Sequence, residues 1–242
     1  MIRQRVRLRF RKEGDLRLIS HRDLVRAWER LFRRAGLRLS LSEGFHPKAR
    51  MSFPSALGLG IASLDEVLEF ELAEHVPTAE LRARLAAQLP PGLALTTLEL
   101  LPPGQRKARI QRTVYQLPVP ESRRAALEAS LARLRAAPQH WIARTARQAP
   151  IDVKALLEHC DYRDGVLTFG LRADPQIGVR PREVLAALDV ADLEQQGLGL
   201  TRTAVELTPN SQVNSSVEEN PVYEKGNADQ CVAAGGMPDR DH

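Results

Sequence analysis

Apolar and polar positions alternate or recur at helical spacing through most of the first hundred residues. Gln4, Val6, Leu8 and Phe10 alternate with Arg3, Arg5, Arg7, Arg9 and Arg11, the pattern of a half-buried strand. A turn at Glu13-Gly14-Asp15 leads through 16–19 to Ser20, where Ser20 and Asp23 predict a helix N-cap. Leu24, Ala27, Trp28, Leu31, Phe32 and Ala35 follow at helical spacing, and Gly36 predicts the stop. A strand is expected over 37–42, then a loop rich in Gly, Pro and basic residues. Alternation returns over 67–72, with Leu68, Phe70 and Leu72 facing inward. Helical spacing over 78–89 ends at Pro90-Pro91-Gly92, and 93–101 reads as a closing strand.

The second half repeats the order with little sequence similarity. Strands are predicted at 113–119, 140–146, 166–171 and 200–207, with helices at 121–137 and 182–188. The stretch 147–163 reads as an irregular insert. Strand, helix, strand, strand, helix, strand, twice over, predicts an α+β chain of two tandem ferredoxin-like (βαββαβ) units. The units are expected at 1–103 and 112–207, joined by a basic linker at 104–111. From 208 to 242 the chain is polar and aperiodic, with six acids against two bases, and predicts a disordered tail.

Composition narrows the class. No apolar run approaches the roughly 18 residues a membrane span needs, and the basic N-terminal stretch lacks the hydrophobic segment of a secretory signal. Two cysteines, Cys160 and Cys231, exclude a disulfide scaffold, a four-cysteine zinc site and a three-cysteine iron–sulfur cluster held by this chain alone. The expectation is a cytoplasmic protein with no cofactor of its own and no membrane partner. The formal net charge of +5 is uneven: residues 1–50 hold fifteen Lys/Arg against five Asp/Glu. Such a region suits polyanions or an acidic protein surface.

Four features carry candidate chemistry. Alternate residues of a strand share a face, so the row Arg3 to Arg11 would span about 26 Å at about 3.3 Å per residue. On the helix-free face of a ferredoxin-like sheet, Arg5, Arg7 and Arg9 suit RNA phosphates. Against this, Glu69 and Glu71 lie on the same face of the expected neighbouring strand and can pair with the row. The loop Ser42-Glu43-Gly44-Phe45-His46-Pro47-Lys48-Ala49-Arg50 adds a ring at Phe45, a titratable His46 and charge at Lys48 and Arg50, on a backbone shaped by Gly44 and Pro47. Phe45 as a core plug is the structural alternative. Arg22, Arg26, Arg30 and Arg33 line one side of the first helix, the pattern of a solvated face. His21 beside Ser20 either bonds nearby backbone or joins His46 and Lys48 in acid–base chemistry. The histidines show no metal-ligand spacing, and Gly58-Leu59-Gly60 lacks the lysine of a phosphate loop.

Three stretches resemble a known family. Arg9-Phe10-x-Lys12-x-Gly14-Asp15-Leu16-Arg17-Leu18-Ile19-Ser20-His21-x-Asp23-Leu24 is similar to the opening of the radical SAM-associated domain of unknown function (domain of unknown function 2344). Ser42 to Lys48, with Ser52-Phe53 and Leu57-Gly58-Leu59-Gly60, resembles its second motif, and Arg180-Pro181-Arg182-Glu183-Val184-Leu185 one near its end. The resemblance spans about 3–207. It implies a radical SAM protein as partner and an accessory role. The chain lacks the CxxxCxxC motif of the enzyme itself, so the family's iron–sulfur cofactor does not carry over. The expected function is a non-catalytic module binding RNA or another phosphate-rich substrate for that partner. A metal-independent endoribonuclease and a protein-docking scaffold are the alternatives, and intrinsic enzyme activity stays open.

Overall fold

The computed structural model describes residues 4–144 and 148–209. Arg3 of the arginine row, the expected tail from 210 onward and Cys231 lie outside the described residues. The first half comprises β1 (Gln4–Lys12), α1 (His21–Arg34), β2 (Met51–Ser52), β3 (Ala62–Leu72), α2 (Thr78–Ala86) and β4 (Leu93–Leu101). The second comprises β5 (Ile110–Pro118), α3 (Arg124–Ala136), β6 (Trp141–Ile142), β7 (Ile151–Asp152), β8 (Leu157–Arg163), β9 (Val166–Arg172), α4 (Pro181–Ala187) and β10 (Thr201–Leu207). One sheet runs β4-β1-β3-β10-β5-β9-β8, with β2 added on β3, while β6 and β7 pair apart from it. All pairings are antiparallel except β10 on β3. The fold is therefore mixed α+β around a mostly antiparallel sheet. Each half lays down its strands in the same relative order, β4-β1-β3-β2 and β10-β5-β9-β8.

Local chemistry explains the elements that match expectation. Ser20 caps α1 by accepting from the Asp23 N–H at 3.1 Å, and its hydroxyl donates to the Asp23 carboxylate at 2.6 Å. Leu24, Trp28, Leu31 and Phe32 form the buried stripe of that helix. They pack on Val6, Leu8 and Phe10 of β1, with Phe10 edge-on to Trp28 at 5.0 Å. A second core gathers Tyr115, Leu117, Leu127, Leu131, Phe169 and Leu185, together with Leu57 and Ile61 from the first half. Leu57 and Ile61 lock the two halves together.

Three sequence expectations are corrected. The strand expected over 37–42 is reduced to isolated bridges, Leu39 to Leu72 and Leu41 to Ala49. The reason is competition: the Ser40 N–H donates to the Glu71 carbonyl, but its own carbonyl accepts from Arg50, so the segment folds back on itself. Its place at the edge of β3 passes to β2. In the 140–146 stretch only Trp141–Ile142 is strand, paired with β7, and 145–147 lie outside the described residues. The expected insert instead contains β8, the true neighbour of β9. As an edge strand β8 is only partly buried, so its residues show no clean alternation. Its signal was the two-residue turn Asp164-Gly165, where both residues take positive φ (50° and 77°), as a tight hairpin requires. Helix ends shift by a few residues: 78–89 stops at Ala86, and 121–137 opens with a 3-10 turn at Glu121–Arg123.

The join between the halves is narrow. β10 and β3 share two register pairs, Thr201 with Ala62 and Arg202 with Ser63. Beyond them side chains replace the ladder: Asp65 accepts the Val205 N–H at 2.9 Å, and Arg9 bonds both Asp65 (2.6 and 2.7 Å) and the Val205 carbonyl (3.0 Å). In the core at this join, Arg202 forks onto Glu66 at 2.5 and 2.8 Å and donates to the Ser55 hydroxyl at 3.0 Å. Both members of the pair are at most 2% exposed. Lys12, 1% exposed, donates to the Ile19 carbonyl at 3.2 Å. Burial holds the Lys12 ammonium below its ordinary 10.5, Glu66 opposes that effect, and Arg202 adds to it.

Arg202 thus pairs with a buried carboxylate whose charge also reaches Lys12. Removing Glu66 leaves Arg202 buried without its partner and takes away the charge that opposes the burial of Lys12, whereas removing Arg202 leaves Glu66 in the field of Lys12. Glu66→Gln is expected to cost about 3–5 kcal/mol, and Arg202→Met measurably less, in urea denaturation. The native state binds the Lys12 proton less readily than the unfolded chain, whose lysine titrates near 10.5. Stability therefore rises with pH from the folded-state value up to the unfolded one. Lys12→Met is expected to flatten that rise in urea midpoints measured across the alkaline range up to pH 10.5.

Candidate functional site

The 42–50 loop is a pinned hairpin tip. The Ser42 N–H donates to the Lys48 carbonyl at 2.8 Å, and the Lys48 N–H donates to the Ser42 hydroxyl at 3.0 Å. Arg50 Nε donates to the Leu41 carbonyl at 3.1 Å. Gly44 takes a φ of 119°, which few other residues tolerate. Phe45 at the tip is fully exposed, so it plugs no core. His46 and Pro47 are exposed beside it.

The arginine row meets more carboxylates than the two glutamates foreseen. Arg7 donates to Glu69 at 2.7 and 2.9 Å and to Glu99 at 3.0 Å. Arg9 is held by Asp65, and Arg11 pairs with Glu13 at 2.8 Å. Arg5 is held least: its contacts to Glu69 and Glu71 are 3.7 and 4.0 Å, too long for hydrogen bonds, while it donates to the Gln105 carbonyl. The basic linker also crosses this face, its Ala108 N–H donating to both Glu69 oxygens at 3.2 Å.

Loop, linker and row enclose a cavity of about 370 Å³. Arg5, Lys48, Arg50 and Lys107 bring four positive charges to it, against Glu69 and Glu71. Arg50 lies 3.8 Å from Glu71, again without a side-chain hydrogen bond to it. The Lys48 and Lys107 ammonium groups have no ion-pair partner among the described residues, and both residues are exposed. Since Glu69 is engaged by Arg7, the wall has a surplus of loosely held donors. That is chemistry for an anion rich in acceptor oxygens, such as a phosphate.

The remaining motif residues sit elsewhere. The His21 ring packs edge-on against Phe53, 5.2 Å between centroids, and neither His21 nor His46 lines the cavity. Arg180 and Pro181 start α4: the Arg180 N–H donates to Glu183 at 2.7 Å, and Pro181 takes the first helical position. Arg182 donates to the Leu59 carbonyl at 2.8 Å and to Glu194 at 2.7 Å, tying the Gly58-Leu59-Gly60 turn to α4. A side chain at Gly60 would approach that guanidinium, and its φ of 82° also favours glycine. Burial, reinforced by Asp161, pushes the Cys160 thiol up to about 12, which makes it a poor nucleophile at neutral pH. Among the described residues no three His, Cys, Asp or Glu side chains gather as metal ligands, and no helix is long and apolar enough to cross a membrane. Lys107 was read only as linker; its run of basic residues was the signal, but its place over the sheet was not.

The class of protein is thus an α+β domain with a mostly antiparallel sheet and a basic cavity at one edge. The chain belongs to the family described as "Uncharacterized protein conserved in bacteria (DUF2344)", whose model matches residues 5–185. No curated protein matches. Among solved structures, an unknown protein from Galdieria sulphuraria is similar at 13% identity and a TM-score of 0.29, covering 86% of this chain and 100% of that one. The acetolactate synthase small subunit from Thermotoga maritima is similar at 12% identity and a TM-score of 0.28, covering 88% and 100%.

Because Phe45 touches no core, Phe45→Ala is expected to change stability by less than about 0.5 kcal/mol. Thermal melting of the variant beside the parent checks this. A larger loss would mean that the tip is structurally docked.

Proposed function

We propose that this chain is a non-catalytic accessory module that binds RNA, or another phosphate-rich substrate, at the cavity between the 42–50 loop and the 105–109 linker. The observation that carries the reading is the convergence there of Arg5, Lys48, Arg50 and Lys107, with donors left over after the carboxylates are paired. Arg5 and Arg50 offer planar forks to phosphate oxygens, and the two lysines offer mobile charge. Phe45, exposed beside them, supplies a stacking ring for a base. Arg7 and Arg9 support the site from behind, as braces between strands. The repeated strand order supports reading the chain as two ferredoxin-like units whose sheets join edge to edge. The resemblance of its motifs to the radical SAM-associated family supports a radical SAM protein as the partner that receives the bound substrate.

The test is fluorescence anisotropy with a labelled single-stranded RNA of mixed sequence across a salt series. Lys48→Glu/Lys107→Glu is expected to weaken binding at least tenfold. Loss of two phosphate contacts would make the log–log salt slope shallower by about 1.4, at about 0.7 per contact on a single strand. Unchanged affinity and slope would remove the cavity as the RNA site.

A further inference from the structure

A second concavity flanks the same hairpin on its α1 side. It is a groove of about 740 Å³ running between α1 and the extended segment 37–41. Phe32, Leu37, Leu39 and Leu41 make it largely apolar, and Leu41 is 55% exposed at its mouth. The failed strand leaves an unused edge here. Ser40 turns its backbone inward to Glu71 and Arg50, so Leu39 and Leu41 turn theirs outward. The Leu39 N–H and carbonyl and the Leu41 N–H have no backbone partner among the described residues. Ser40 also lines the groove, is 4% exposed, and its hydroxyl has no hydrogen-bond partner among the described residues.

Charge at the rim selects the occupant. Arg33 has no ion pair among the described residues; Arg38, 75% exposed, donates to Glu74 from its backbone N–H at 2.9 Å and from its guanidinium at 3.3 Å, so Arg33 is the unpaired cation of the rim. Glu29 is the one carboxylate on the lining, and α1 as a whole carries five arginines against Asp23 and Glu29. An unpaired edge beside an apolar trough with a basic rim is the layout for adding a strand from another chain: main-chain bonds hold it and alternate side chains enter the trough.

We propose that the groove docks an extended peptide segment of a protein partner, one in which apolar residues alternate with acidic ones. The segment lies along 37–41, an edge of about 13 Å at about 3.3 Å per residue. It pairs with Leu39 and Leu41, lays its apolar side chains against Phe32, Leu39 and Leu41, and presents carboxylates to Arg33 and Arg38. This site is separate from the anion cavity and does not rest on it.

The probes are three fluorescein-labelled octapeptides on the full chain: alternating valine and glutamate, alternating valine and lysine, and alternating serine and glutamate. The valine–glutamate peptide is expected to bind, with the other two at least tenfold weaker. Leu41→Asp and Arg33→Glu/Arg38→Glu alter exposed side chains and are each expected to weaken it at least tenfold. Amide exchange at Leu39 and Leu41 should slow on binding. The proposal is overturned if the valine–lysine peptide binds equally well, or if the valine–glutamate peptide fails to bind at millimolar concentration. Binding abolished by Lys48→Glu/Lys107→Glu, yet intact in the groove variants, would overturn it by moving the peptide to the anion cavity. Self-association in sedimentation that Leu41→Asp abolishes would assign the edge to a second copy instead.

Discussion

A buried ion pair sits at the narrow join between the two halves of the sheet. Arg202 on β10 and Glu66 on β3 meet where the one parallel pairing among the described residues is two residues long. So short a ladder supplies little cohesion by itself. The fork of Arg202 onto Glu66, with Ser55 on its third nitrogen, makes the join directional. Lys12, buried nearby, feels both charges: Glu66 opposes the effect of its burial and Arg202 adds to it. Such an arrangement is a weak source of stability, because both ions lose their hydration. Its consequence is geometric: it sets where β10 meets β3, and hence where Leu57 and Ile61 enter the second core.

The same logic of pairing decides which arginines keep loosely held donors. Glu69, Glu99 and Asp65 hold Arg7 and Arg9 at hydrogen-bond distance, and both guanidiniums serve the sheet. Arg9 goes further, standing in for the ladder that β3 and β10 lack. Arg5 lies at the end of the row nearest the linker and the hairpin, where carboxylates stay at 3.7 Å or more. The basic cavity forms where neutralisation is incomplete, and not along the whole row.

The hairpin 38–52 organises both concavities. It is too short and too bent to complete the edge of β3, so it contributes bridges where a full strand was expected. Lys48 and Arg50 fall on the cavity side, while Leu39 and Leu41 line the groove beside α1, with Arg38 at its rim. One interrupted strand therefore separates a charged pocket from an apolar groove.

Much of the fold was determined by the sequence alone, because burial on one face writes a period into the residues. β1, α1 and β9 are legible for that reason, and so is the order of elements in the first half, except that its second strand lies at Met51–Ser52 and not over 37–42. The buried charges went unread, although Lys12 continues the inward series Val6, Leu8, Phe10 and Glu66 shares a face with Leu68 and Phe70: a charge at an inward position does not announce a buried partner. The candidate loop stood out through Gly44, Pro47 and its basic residues. What the sequence did not contain was which charges would meet. Asp65 and Glu99 lie 56 and 92 positions from the arginines they engage, and nothing local marks them as partners. The linker's passage over Glu69 and Lys107's place in the cavity depend on the path of the chain across the sheet. Edge strands such as β8 escape a reading by alternation because only part of each residue is buried. Periodicity is a local consequence of burial, whereas charge pairing and edge competition are settled only when distant segments come together.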